Sequence, residues 1–180
     1  MTDTVLLVID AQQSFYERGY NEAPETPAFE KALSTLVAGC QAKGIPVVDV
    51  FHVESEGAFA PESGLVVRLP FLDHEPVASF RKKVHNALTE SGLQQWLEQN
   101  AVKHVIITGL RSEQCCETTA RVASDFGYHV TYVTEATLTF PITHDGITLS
   151  IADLRHRTES VLINRFADIR TVEGLLKELA

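Results

Sequence analysis

The chain has 180 residues, 44% of them hydrophobic and 22% charged, with a formal net charge of −9. That length and balance predict one globular domain over residues 1–180 with a sizeable core. The acidity, with no lysine- and arginine-rich run to offset it, argues against nucleic acid as a partner. No apolar stretch approaches the roughly 18 residues of a membrane span, and no signal-like segment opens the chain. Three cysteines without scaffold-like spacing fit reduced thiols, so a cytoplasmic location is expected.

Residues 5–9 (VLLVI) are a continuous apolar run, the pattern of a parallel strand buried on both faces. The run ends at Asp10. A carboxylate at the C-terminal edge of such a strand either faces a ligand or caps a turn. Gln12 and Phe15 follow in a loop, and residues 16–27, with Gly19, Pro24 and Pro27, continue it over the surface. Helical periodicity runs over residues 29–43 and stops at Gly44; residues 46–50 are the next strand. His52 comes just beyond it, either lining a pocket or serving as a hydrogen-bonded structural histidine. Residues 54–70 have no periodicity, as in a lid or binding loop. A short strand at 77–80 leads into Arg81-Lys82-Lys83, where adjacent lysines are ordinarily solvated, and a helix follows over about 91–100 with Leu93, Trp96 and Leu97 on its apolar face.

The most informative stretch is residues 104–136. A β-branched strand at 104–108 is broken by Gly109, Ser112 is placed to cap a helix, Gly127 stops that helix, and residues 130–133 are another strand. In this βαβ unit Cys115 falls in the first helical turn, where free N–H groups and the helix dipole favour an anion. The expectation is a thiol of lowered pKa, with an oxyanion hole built from the same N–H groups. The competing reading is a small buried core residue, as most free cysteines are. Beyond it, residues 137–146 read as a loop carrying Phe140 and Pro141, 147–154 as helix, 160–164 (SVLIN) as the last strand and 172–179 as a closing helix. Alternating strands and helices make the class α/β with a mainly parallel sheet. Adjacent Cys115 and Cys116 do not have zinc-ligand spacing and no His-x-x-x-His pair occurs, so no metal and no cofactor are expected.

Three pieces stand in a telling order: Asp10-x-Gln12-x-x-Phe15, Lys82-x-x-x-Asn86-Ala87-Leu88, and Gly109-Leu110-x-Ser112-x-x-Cys115-Cys116-x-x-Thr119-Ala120-Arg121. Together they resemble the isochorismatase-like cysteine hydrolase superfamily over nearly the whole chain. The resemblance implies a Rossmann-like three-layer α/β/α sandwich around an about six-stranded sheet, and a catalytic triad at Asp10, Lys82 and Cys115. It selects Cys115 over Cys116, because the family usually has valine after the nucleophile, and Lys82 over Lys83 by spacing from the Asn-Ala element. The departures are mild: Ser112 where threonine is common, Glu113 where Asp or Asn is common, Leu88 where phenylalanine is common. A cis peptide common in the family would fall at Leu110–Arg111.

The chemistry so implied is a C–N hydrolysis (amide, ureido or N-carbamoyl) through a thioester. Asp10 would act as general base, Lys82 would favour the thiolate, and the backbone N–H groups of Cys115 and its predecessor would stabilise the oxyanion. Gln12, Phe15, His52, Leu110, Arg111 and Phe140 are the candidate substrate-binding residues. Nicotinamidases of this superfamily bind a metal through an Asp-x-His-x-x-x-His type loop, and here that region reads Phe51-His52-Val53-Glu54, which argues against that activity. The alternatives are an isochorismatase-type vinyl-ether hydrolase, which does not need the cysteine, and a non-catalytic binding or assembly protein. A small-molecule substrate and a homo-oligomer, dimer or higher, are the partners implied.

Overall fold

A computed structural model describes residues 3–179. Strand β1 (Thr4–Ile9) is buried along its whole length, as its unbroken apolar run requires. Helix α1 (Thr26–Ala42) returns the chain to β2 (Val47–His52), and β3 (Ala78–Lys82) follows the long irregular segment. Helix α2 (Leu93–Gln99), strand β4 (His104–Leu110) and helix α3 (Glu117–Asp125), entered through a π-helical turn at Ser112–Cys116, lead to the ten-residue strand β5 (His129–Leu138). A small hairpin of β6 (Ile142–His144) and β7 (Ile147–Leu149) precedes α4 (Ile151–Leu162), β8 (Asp168–Ile169) and α5 (Val172–Glu178).

Six strands form one parallel sheet in the order β3-β2-β1-β4-β5-β8. One face packs Leu6, Val8 and Ile106 against Leu33, Leu36 and Val37 of α1 and Leu175 of α5. The other packs Val5, Leu7 and Ile107 against Leu93 and Leu97 of α2 and Ala120 and Ala123 of α3. Strand residues of alternating parity therefore serve opposite faces, which makes the three-layer α/β/α sandwich. After β1 the chain goes out to β2 on one side, and later places β4 on the other. That reversal leaves a crevice at the C-terminal ends of β1 and β4, where open α/β sheets bind ligands. Among the described residues no helix is long and apolar enough to cross a membrane.

Three expectations from the sequence are corrected. Residues 147–154 are not all helix: Ile147–Leu149 pair with β6 as strand β7, and α4 starts at Ile151. Residues 160–164 are not a strand. Ser150 and Asp153 form a reciprocal capping box that starts α4, and Ile151, Leu154, Thr158 and Leu162 then bury one face of it. A cap of this kind contributes about 1 kcal/mol, enough with that face to take a short apolar run whose period alone was ambiguous. The last sheet strand is instead Asp168–Ile169. Nor does Gly109 end β4, which continues to Leu110. At φ 117° the glycine lies against β1, and a Cβ there would sit 1.8 Å from the Ile9 carbonyl oxygen. Only glycine permits that approach, and it brings the end of β4 up to the residue before Asp10.

The start of β4 carries a pH dependence. His104 is half-buried, stacks on His129 at 4.2 Å between centroids, and contacts the Thr131 hydroxyl at 2.8 Å. Burial, helped by His129, holds its pKa down at about 4. An unfolded histidine titrates near 6.5, so between those values the unfolded chain binds a proton that the native ring refuses. Stability therefore falls as pH drops from about 6.5 through 4. Allowing for the solvent that reaches a half-buried ring, the loss is about 1–2 kcal/mol. Urea unfolding at pH 7, 5 and 4 should show it in the parent chain and show less of it in His104→Gln. An equal loss in both would remove His104 as the cause.

Candidate active site

Four strand ends present their last side chains in a row: Lys82 from β3, His52 from β2, Asp10 after β1, and Cys115 in the turn after β4. Lys82 and His52 are register partners in the sheet. Asp10 adopts φ 53°, a left-handed conformation that aspartate tolerates better than most residues. Its N–H donates to Val50 O at 2.7 Å, and its own carbonyl accepts from the Gln12 N–H at 2.8 Å. A turn at Asp10 is one of the two readings the sequence leaves open; its left-handed backbone is not legible there. The Leu110–Arg111 peptide is cis.

The lysine ammonium is the hub. Its Nζ lies 2.8 Å from Asp10 Oδ2, 3.4 Å from Cys115 Sγ and 3.3 Å from His52 Nδ1. Asp10 and Lys82 are each 1% exposed and Cys115 8%, so the charges interact with little solvent screening. Asp10 Oδ1 is buried without a hydrogen-bond partner at standard geometry, yet the thiol is near enough that it and the carboxylate shift one another's titration. Burial raises Asp10 above the usual carboxylate range against the opposing pull of Lys82. Lys82 is raised, because Asp10 and the thiol together outweigh its own burial.

Cys115 differs from expectation. Burial first, and the Asp10 carboxylate second, push the thiol up to about 12 despite Lys82. A helix start lowers the pKa of a thiol that solvent reaches, whereas this sulfur is enclosed. Ser112 is not the cap either: Arg111 is the N-cap and supplies no side-chain bond. The Ser112 hydroxyl pairs with Thr137 Oγ1 at 2.6 Å, and its carbonyl accepts from Tyr132 at 2.7 Å. The Gln114 N–H donates to Arg111 O at 3.1 Å, so it is already engaged, and the Cys115 N–H is the better oxyanion donor. The site therefore places a thiol of raised pKa beside the Asp10 carboxyl, which suits proton transfer between the two better than a resting thiolate.

The motif residues between these groups have physical reasons. Thr119 Oγ1 donates to Cys115 O at 2.7 Å and accepts from the Ala87 N–H at 3.0 Å, which ties the helix carrying the thiol to the segment after Lys82. Asn86 Oδ1 accepts from the Leu88 N–H at 3.1 Å and shapes that segment. Buried Glu117 takes Arg121, Arg157 and the Thr158 hydroxyl, fixing α3 against α4. Cys116 turns away, with its Sγ 3.6 Å from Thr108 O.

A cavity of about 70 Å³ opens onto the thiol. Of the candidate binding residues, Phe15, His52 and Arg111 line it. Gln12, Leu110 and Phe140 do not. Gln12 is fully buried and spends its amide on the backbone of His52, at 2.8 and 2.9 Å, and on Ser14; it positions His52. Leu110 is a core residue. Phe140 stands behind, stacked on Phe15 with centroids 6.4 Å apart and beneath the Arg111 guanidinium. Sequence reasoning missed Arg18, Glu54, Phe59, His85 and Gln114 in the lining. Glu54 and Phe59 lie in the irregular loop, and His85 and Gln114 occupy variable positions inside the motifs. Arg18 lies over the Phe59 ring and pairs with Glu54 at 3.2 Å across the mouth. Hollows of about 420 Å³ near Pro46 and Trp96, and about 860 Å³ between α1 and α5, are larger, but neither is lined by a cysteine or a histidine. Among the described residues no group of three or more His, Cys, Asp or Glu is arranged to hold a metal ion.

The model of the isochorismatase domain matches residues 4–164. The chain is 25% identical over 179 residues to YrdC of Bacillus subtilis strain 168, an uncharacterized isochorismatase family protein, covering 96% of this chain and 94% of that one. It is 22% identical over 176 residues to the nicotinamidase of Escherichia coli K12, covering 75% and 83%. The crystal structure of a protein from Oleispira antarctica, described as an isochorismatase hydrolase, superposes with a TM-score of 0.88 at 27% identity, covering 97% of this chain and 96% of that one.

Proposed function

This chain belongs to the isochorismatase family of hydrolases, and from that premise we propose that it cleaves a C–N bond of a small amide, ureido or N-carbamoyl compound with Cys115 as nucleophile. The observation that carries this reading is the Lys82 ammonium held 2.8 Å from Asp10 and 3.4 Å from the thiol. Asp10 takes the thiol proton as sulfur attacks the carbonyl carbon, then gives it to the departing nitrogen. Lys82 keeps Asp10 ionised for the first transfer and stabilises the negative charge as it moves onto sulfur. The Cys115 N–H, at the opening of the helix, meets the developing oxyanion. A thioester remains, and water hydrolyses it.

The cavity is small beside the few hundred Å³ of ordinary ligand clefts, so the reading favours a compact scissile group. Likeness to a nicotinamidase supports C–N chemistry in general. The loop at 51–54 argues against nicotinamide itself. One domain, a reducing cytoplasmic setting suited to three free cysteines, and a homo-oligomeric working form complete the proposal.

The test is a panel of primary amides, ureido acids and N-carbamoyl amines, with released ammonia or amine followed in the parent and in Asp10→Asn. Turnover of one class, reduced about 10³-fold by the substitution, is the expected result. Absence of C–N turnover, together with vinyl-ether hydrolysis that survives loss of Cys115, would overturn it.

A further inference from the structure

One group at the site has no part in the chemistry so far. His85 lies three residues beyond Lys82, exposed to solvent, and its Nδ1 is 3.9 Å from Cys115 Sγ. Besides the Lys82 ammonium, the thiol thus has two neighbours able to take a proton. Asp10, 1% exposed and bonded to Lys82, is the inner one. His85, at the cavity wall and in contact with solvent, is the outer one. His52 is a poor substitute. One ring nitrogen faces the Lys82 ammonium at 3.3 Å and the other faces Glu54 at 3.5 Å, so both are engaged.

We propose that His85 is a catalytic residue of the second half-reaction, the general base that activates water against the acyl-Cys115 thioester. This inference rests on the nucleophilic role of Cys115 proposed above. Asp10 and His85 both line the cavity, but Asp10 is buried and bonded to Lys82, whereas His85 is open to the solvent from which water reaches the acylated sulfur. A neutral His85 ring accepts one proton from that water while its oxygen bonds to the thioester carbonyl carbon. The C–S bond then breaks, and the proton on His85 passes to the departing sulfur. The carboxylic acid is released, and thiol and neutral imidazole are both restored, so atoms and charge balance. Labour is divided: Asp10 serves acylation and His85 serves deacylation.

The test uses p-nitrophenyl acetate as acyl donor, with release of p-nitrophenolate followed by stopped flow and acetyl-Cys115 followed by intact mass, and Cys115→Ala as the control for other sites. In the parent chain a burst equal to the acetylated fraction should precede a slower steady rate. In His85→Gln the burst should persist while deacylation slows about 10²-fold, and in His85→Ala added imidazole should restore part of the rate. A purely structural role would not split the two phases in this way. Deacylation of His85→Gln within about twofold of the parent would overturn the assignment and leave Cys115 as nucleophile untouched. Loss of the burst in His85→Gln would also overturn it, by moving the residue to the first step. A parent chain that never forms acetyl-Cys115 would overturn both readings.

Discussion

Cys115→Ala is expected to lower the turnover of any C–N substrate by on the order of 10⁴-fold or more, about 5.5 kcal/mol of transition-state stabilisation. The size follows from the position of the sulfur. Among the described residues it is the only nucleophile held against both a buried carboxylate and a buried ammonium, and Cys116 cannot take its place because it faces the Thr108 carbonyl. The fold should be indifferent to the change, because the side chain is small, lies at the cavity wall, and its helix is anchored by Glu117 and Thr119. Kinetics on the substrate found in the panel, with near-ultraviolet circular dichroism as a control for packing, would check this. Activity within tenfold of the parent would rule out covalent catalysis at Cys115.

The second large effect concerns Lys82, where stability and activity are linked. Lys82→Met keeps the length and apolar stem of the side chain but leaves Asp10 buried without its counter-charge. Asp10 already titrates above its ordinary value of 3.8, and Lys82 is the first influence opposing that rise. Without it the carboxyl goes higher still. An acid raised in the folded state costs stability wherever the unfolded chain is ionised, and costs nothing once both states are protonated. The variant should therefore lose about 4 kcal/mol at pH 7, and the loss should shrink as pH falls toward 4. Activity should fall by about 10²–10³-fold, as when one stabilising charge is removed from a developing anion. Adding Asp10→Asn to Lys82→Met should return most of the stability, because no buried charge then remains, and none of the activity. Urea unfolding of the three chains at pH 7 and pH 5 measures this. A single variant as stable as the parent at both pH values would show that the pair is not an electrostatic unit.

The architecture was largely legible in the sequence because its signals are local. VLLVI can hardly be anything but a strand buried on both faces, and alternating strands and helices leave few ways to close a parallel sheet. Asp10 and Cys115 stand where a strand ends and a helix opens, which made them candidates, but Lys82 beside Lys83 reads as a solvated residue and only the resemblance singled it out. What was hidden depends on neighbours distant in sequence. SVLIN has no decisive period by itself; the Ser150–Asp153 box ten residues earlier makes it the end of a helix. Gln12 sits in a motif, yet its amide is spent on the His52 backbone, 40 residues away. The titration of Cys115 was inferred in the wrong direction because helix position can be read from sequence and enclosure cannot. His85 was passed over because it stands between two motif residues, and its meaning comes only from the sulfur 30 residues later.

The central claim is that Cys115 attacks as Asp10 removes its proton. The most direct measurement is the rate of iodoacetamide alkylation at Cys115 against pH, assigned by fragment-ion mass spectrometry, in the parent chain and in Asp10→Asn. A thiol held near 12 by burial reacts at neutral pH only with help, so the parent rate should stay level between pH 6 and 8. In Asp10→Asn it should fall at least tenfold and then climb about a decade per pH unit, as an unassisted thiol does. A parent rate that already climbs a decade per unit, unchanged by Asp10→Asn, would contradict the account.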